Sequence, residues 1–131
     1  MSIWTFKSYI EESGKDVIGH WLKGLPASGR VRIRSGLKYL SITDEWECGP
    51  SKDYRKLKRV KCPLHELLLT DKIGKKQYRI FGYFVPGEKV FVMLIGTDHK
   101  DDIYNPPSCF DTAEKRYKLA IERGSIHNYE P

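Results

Sequence analysis

The stretch that decides the fold is LHELLLTDKIGKKQYRIFGYFVPGEKVFVMLIGT, Leu64 to Thr97. Three short segments within it, Leu64 to Thr70, Gln77 to Val85 and Lys89 to Thr97, are rich in Leu, Ile, Val, Phe and Tyr, residues that suit a pleated, half-buried surface. Turn chemistry separates them. Asp71 to Lys76 contains Gly74, and Pro86-Gly87 stands between the second and third segments. There the proline presets φ and the glycine accepts a positive one. Strands joined this tightly pair with their neighbours, so the segment reads as a three-stranded antiparallel meander. The third strand is apolar on both sides (Val90, Val92, Leu94 against Phe91, Met93, Ile95), which places it centrally with both faces covered.

Upstream, Ile3 to Ile10 alternates so that Trp4, Phe6 and Ile10 share a face, and Gly14 ends this strand. Val17, Ile18, Trp21, Leu22 and Leu25 recur at helical spacing before Gly24 and Pro26. Ile33, Leu37 and Leu40 mark a second helix across Gly29 to Leu40, with Arg30, Arg34 and Lys38 on another face. A turn at 25–29 makes the pair a helical hairpin. Polar Asp44 to Ser51, with Gly49-Pro50, reads as a loop. Downstream, Asn105-Pro106-Pro107 interrupts the chain, and Ser108 with Asp111 resembles a capping signal. Ala113, Tyr117, Ala120 and Ile121 then form a helical stripe that stops at Gly124, leaving 124–131 as a short tail. The expectation is one small α+β domain over residues 1–131: N-terminal strand, helical hairpin, meander, C-terminal helix.

Composition agrees with a single globular unit. The chain has 131 residues, 40% of them hydrophobic and 31% charged, with a net charge of +6. That length buries a core without disulfides or metals. No apolar run approaches the roughly 20 residues of a membrane span, and MSIWTFKSYIEE lacks the basic and apolar regions of a secretory signal. Cys48, Cys62 and Cys109 are odd in number and far apart, which argues against a disulfide framework and for a reducing cytoplasm. Neither the cysteines nor His20, His65, His99 and His127 show metal-ligand spacing, so no metal and no cofactor are expected. No Ser-His-Asp or Cys-His signature is present.

The charge is concentrated. KDYRKLKRVK, Lys52 to Lys61, holds six basic residues (Lys52, Arg55, Lys56, Lys58, Arg59, Lys61) and one acid, Asp53, nearly the whole excess of the chain. Such a run either lies solvated in a loop or contacts a nucleic-acid backbone, where point charges suffice. Tyr54 beside it offers a ring for base stacking. Arg79 lies in an apolar strand with Phe81 and Tyr83 on its face. A buried guanidinium must reach solvent, a carboxylate or a bound phosphate.

The element order and several local sequences resemble the RelE/HigB superfamily of bacterial toxins, in particular its phage-associated HigB-like branch, over roughly Trp4 to Arg123. Arg55-Lys56-Leu57-Lys58 is similar to the family's R-K-L-K, Leu64-His65-Glu66-Leu67 to its L-Y-E-L, and Gln77-Tyr78-Arg79-Ile80 to its x-Y-R-I/V. Leu94-Ile95 followed by His99-Lys100 and Pro106 resembles L-L-H-x-F-x-K-K…P. Ala113 and Arg116 resemble A-x-x-R of the closing helix.

The resemblance implies a RelE-like fold and a ribosome-dependent mRNA endoribonuclease, neutralised by a cognate antitoxin of helix-turn-helix type. In that chemistry the ribose 2′-hydroxyl attacks the adjacent phosphate without a metal. It implies phosphate contact for Arg79, and catalytic or binding roles for His99 and Lys100. Histidine titrates near neutrality, so a His65/His99 pair would suit base and acid. Where some members carry two basic residues, this chain has Glu66 and Leu68, and the acids Asp98, Asp101 and Asp102 surround His99. Those departures motivate the alternative: a catalytically inactive member of the fold that binds RNA or a protein.

Overall fold

The structure is a computed structural model and describes residues 2–100 and 103–131. The elements are β1 (Thr5–Tyr9), α1 (Val17–Lys23), α2 (Ala27–Ser41), β2 (Tyr54–Lys56), β3 (His65–Asp71), β4 (Lys76–Phe84), β5 (Val90–Lys100), β6 (Ile103–Asn105), α3 (Cys109–Arg123) and β7 (Ile126–Tyr129). Among the described residues they form one mixed sheet in the order β2-β3-β4-β5-β1-β7, with β6 also on β5. β1 runs parallel to β5, from Thr5 opposite Val90 to Ser8 opposite Met93. Every other pairing between these strands is antiparallel. The class is α+β.

Helices cover both faces. On β4, Tyr78 meets Trp21 of α1 (ring centroids 6.0 Å), whereas Phe81 meets Phe110 of α3 (5.1 Å) and Tyr83 meets Tyr117 (5.0 Å). Even- and odd-numbered residues of a strand point to opposite sides, so α1 and α2 lie on one face and α3 on the other. The strand β5, between β4 and β1, is the centre of the core. Phe91, Val92, Met93 and Leu94 are wholly buried there, each such side chain contributing about 1.5–3 kcal/mol. The two N-terminal helices do not act as a self-packed hairpin. The first rests on β5 and β1, the second on β3.

Local chemistry sets the ends. Asp16 caps α1 by accepting from the N–H groups of Ile18 and Gly19, both at 3.1 Å, while the Ser8 hydroxyl donates to the same carboxylate at 2.5 Å. Ser108 occupies the N-cap of α3, but its side chain makes no capping bond. At the other end Gly124 takes φ +64°, the left-handed conformation that turns the chain back. That reversal corrects the reading of 124–131 as a tail. Residues 126–129 form β7 against β1, Phe6 opposite Tyr129 and Tyr9 opposite Ile126, and His127 Nε2 reaches Asp16 Oδ2 at 3.1 Å. The basic run likewise contains a strand, β2, with irregular chain on either side.

One irregularity decides what the sheet displays. From the Pro86-Gly87 turn the β4–β5 register runs Phe84 opposite Phe91, then Gly82 opposite Met93. Between Phe81 and Gly82 it shifts, so that Phe81 faces Ile95 and Leu94 is left over. This β-bulge carries one unpaired residue. Unbroken, the register would set Gln77 opposite Asp98; with the bulge it faces His99. A one-residue slip exchanges the faces of every side chain beyond it. Gly82 permits the shift, because a Cβ there would lie 2.1 Å from the Val92 carbonyl oxygen. Arg116 of α3 donates to the spare Leu94 carbonyl at 2.8 Å.

Candidate functional site

Residues directly opposite on paired strands share a face of the sheet. Arg55 stands opposite Glu66, Leu68 opposite Arg79, Arg79 opposite Thr97, and Gln77 opposite His99. Arg55, Glu66, Arg79, Gln77 and His99 therefore share the α3 face, beyond the part that the helix covers. The short strand β6 sets Tyr104 opposite His99, with ring centroids 4.5 Å apart.

Glu66 organises the group. Its carboxylate is fully buried. Oε1 accepts from Arg55 Nε at 2.8 Å and lies 3.4 Å from Arg79 Nε, while Oε2 accepts from the Tyr104 hydroxyl at 2.7 Å. Burial of a lone carboxylate is costly, and here two guanidinium groups and a hydroxyl offset that cost. Arg79 also donates from Nη2 to Gln77 Oε1 at 2.9 Å and from Nη1 to the Tyr78 carbonyl at 3.1 Å. His99 Nδ1 lies 3.0 Å from that same Gln77 oxygen. An amide oxygen only accepts, so with this amide orientation Nδ1 carries the proton. Burial draws the Arg79 guanidinium below its ordinary value, against the opposing pull of Glu66. Burial, then Glu66, pushes the Tyr104 hydroxyl up to about 12, so it remains a donor.

The group opens into a cleft of about 420 Å³, lined by Arg55, Lys56, Lys58, Arg59, Glu66, His99, Tyr104 and Phe110 among others. Beyond Arg55 and His99 a second concavity of about 600 Å³ adjoins Arg32, Lys52, Gln77 and Arg79, with the acids Glu47 and Asp53 on its wall. Cationic side chains thus rim both sides of the buried network.

The site residues expected from sequence divide accordingly. Arg79, His99 and Arg55 converge, and Lys56, Lys58 and Arg59 line the cleft. Lys52 borders the second concavity and pairs with Glu47 at 3.4 Å. Lys61 and Lys100 are exposed and line neither. His65 does not meet His99. It is opposite Gly82, on the other face, packed between Tyr54 (5.5 Å) and Phe84 (5.1 Å). There burial, then Lys56, holds its pKa below the usual value. A base–acid pair of these two histidines is excluded by the alternation of the strand. Tyr54 is likewise committed, edge-on to Phe84 at 5.2 Å and to Trp46 at 6.4 Å, so its ring is part of the core margin rather than a free stacking platform.

The acids near His99 are partly accounted for. Asp98 lies on the opposite face and pairs with Lys76 at 3.7 Å. Asp101 and Asp102 lie outside the described residues. Glu66, Gln77, Tyr104 and Phe110 are the site residues that sequence reading did not assign. Glu66 stood out only as an acid at a position where some relatives of the resembled family are basic. Tyr104 sat unmarked before the Asn105-Pro106-Pro107 break. Among the described residues no group of three or more His, Cys, Asp or Glu side chains converges to hold a metal, and no helix is long and apolar enough to cross a membrane. Cys48, Cys62 and Cys109 are free thiols.

No family model matches the chain, and neither the curated proteins nor the solved structures give a match.

Proposed function

We propose that this chain is a cytoplasmic RelE/HigB-type toxin, a ribosome-dependent mRNA endoribonuclease held in check by a cognate antitoxin of helix-turn-helix type. The observation that carries the reading is the convergence of Arg55, Glu66, Arg79, His99 and Tyr104 on one face of the sheet, with cation-rimmed concavities on either side. The residue types are those that RNA transesterification needs. A base takes the 2′-hydroxyl proton, the 2′ oxygen bonds to phosphorus, cations hold the charge on the pentavalent phosphate, and an acid protonates the departing 5′ oxygen. The products are a 2′,3′-cyclic phosphate and a 5′-hydroxyl end.

Glu66 replaces His65 as the base. It is the carboxylate that lines the cleft. Arg55 and Arg79 flank that carboxylate and suit the phosphate. His99, its Nδ1 oriented by Gln77, suits the acid. Incubation of the purified protein with ribosomes and mRNA, followed by mapping of 5′-hydroxyl ends, tests the reading. Codon-associated cuts lost in His99→Ala support it.

One observation favours a second reading, a catalytically inactive module that binds RNA or a protein. Glu66 already holds Arg55 by a hydrogen bond and Arg79 by an ion pair, and this network serves binding as well as chemistry. Salt-dependent RNA association without cleaved ends would select it.

A further inference from the structure

We propose that the cleft contains a nucleobase slot, formed by Phe110 and Arg59 with the buried Tyr104 ring as its floor, which seats one unstacked base of a single-stranded RNA. The inference rests on the RNA-directed reading of the same cleft and names the part of the RNA that enters it.

Three observations carry it. The Tyr104 and Phe110 rings meet edge to face at 4.9 Å, and both line the cavity. Phe110 is only half-buried, so part of its ring is open towards the cleft. The exposed Arg59 guanidinium lies over Phe110 at 5.1 Å and over Tyr104 at 5.9 Å. A planar cation already occupies the place above these rings that a planar base would take. Arg59 therefore either stacks on the incoming base or swings aside for it; both are ordinary behaviour for a guanidinium on aromatic surfaces.

The surroundings fit a nucleotide rather than a wholly apolar ligand. Arg55, Lys56 and Lys58 stand at the same opening and suit the phosphates on either side of the seated base. A volume of about 420 Å³ falls within the roughly 300–1,000 Å³ of small-ligand sites. Single-stranded RNA is recognised by splaying bases onto aromatic rings and arginine planes. Stacking is tolerant of base identity, because every base has a π-face.

The test uses the full-length protein and a 2′-O-methyl hexanucleotide of mixed sequence, whose blocked 2′ oxygen prevents cleavage. Its twin lacks the two central bases and keeps every phosphate. Fluorescence anisotropy of both gives the contribution of the bases at constant charge. The expected result is binding of the intact oligomer at least tenfold tighter than the abasic one. Phe110→Ala should remove most of that difference and leave the abasic oligomer little changed, whereas Arg59→Ala should shrink the difference and also weaken the abasic oligomer by its lost charge. Phe110 also packs against Phe81, so Phe110→Leu, which keeps apolar volume but loses the π-face, supports the comparison if the alanine variant does not fold. Equal binding of the two oligomers by the wild type overturns the slot, whatever the cleavage assay shows. A clear preference for the intact oligomer, with no cleavage of ordinary RNA on ribosomes, keeps the slot and overturns the nuclease. Absence of binding to either oligomer at low salt overturns the slot, and the ribosome-dependent cleavage then stands or falls on its own assay.

Discussion

Glu66 Oε1 stands 3.4 Å from Arg79 Nε on the buried face of two neighbouring strands, and Arg55 reaches the same oxygen from a third strand at 2.8 Å. The carboxylate is fully buried and Arg79 nearly so, whereas the Arg55 side chain is 39% exposed. The two ion pairs should therefore differ in weight. Glu66→Gln leaves a buried guanidinium without its counter-charge, for which about 3–5 kcal/mol of destabilisation is expected. Double-mutant cycles in urea should give a larger coupling for Glu66 with Arg79 than with Arg55, the latter about 1 kcal/mol or less because solvent screens it. Equal couplings would show that burial does not govern the network.

His65 supplies a pH signature separate from activity. Its native pKa is held below the usual 6.5 by burial and by Lys56. The unfolded chain therefore binds more protons than the native one between that value and about pH 6.5. Stability should be fully present above about pH 6.5 and fall as the pH drops towards the native pKa. His65→Phe should flatten that slope and leave RNA cleavage unchanged, because the ring lies on the face away from the cleft. Chemical denaturation at pH 5 and pH 8 measures the slope. Loss of cleavage in a folded His65→Phe protein would contradict the placement.

The bulge is a second point of control. Arg116→Met leaves the buried Leu94 carbonyl without its donor, with an expected loss of about 1–3 kcal/mol. Gly82→Ala drives a Cβ into the Val92 carbonyl, an overpacking worth about 1–3 kcal/mol or more. In any variant that regularises the register, Asp98 replaces His99 on the Arg79 face. Amide and ring NMR shifts of His99, read beside the melting temperature, should move in Arg116→Met. A stable Arg116→Met protein with the His99 environment untouched would show that the helix does not hold the bulge.

Salt dependence checks the basic rim. Lys56→Ala and Lys58→Ala, both at exposed positions, should each lower the slope of log K against log salt by about 1 and weaken RNA of any sequence alike. Lys61→Ala, outside the cleft, should change the slope less. Anisotropy titrations at several salt concentrations measure this. Identical slopes for all three variants would mean that the charge acts through the net excess alone.

The sequence showed local features and missed distant ones. Strong alternation and the Pro86-Gly87 turn made β3, β4 and β5 readable, and Gly124 marked the end of α3. The edge strands β2, β6 and β7 are three or four residues long. Their pairing depends on partners far along the chain, so no periodicity announces them. The same limit governs the site. Arg79 was legible as a charge that needed a partner, but that partner is Glu66, and the bond depends on the β3–β4 register. Alternation alone already separated His65 from Glu66. Whether Asp98 or His99 joined Arg79 turned on the single extra residue at Leu94, which the hairpin sequence does not display.

The most direct test of the central claim is mapping of RNA 5′ ends after brief induction of the protein in bacteria. Wild type is expected to give new 5′-hydroxyl ends inside translated reading frames, and folded Glu66→Gln and His99→Ala proteins should give few or none, a loss of at least about 100-fold for an acid or base group. Wild-type protein at full expression, with unchanged RNA ends and undiminished translation, would contradict it.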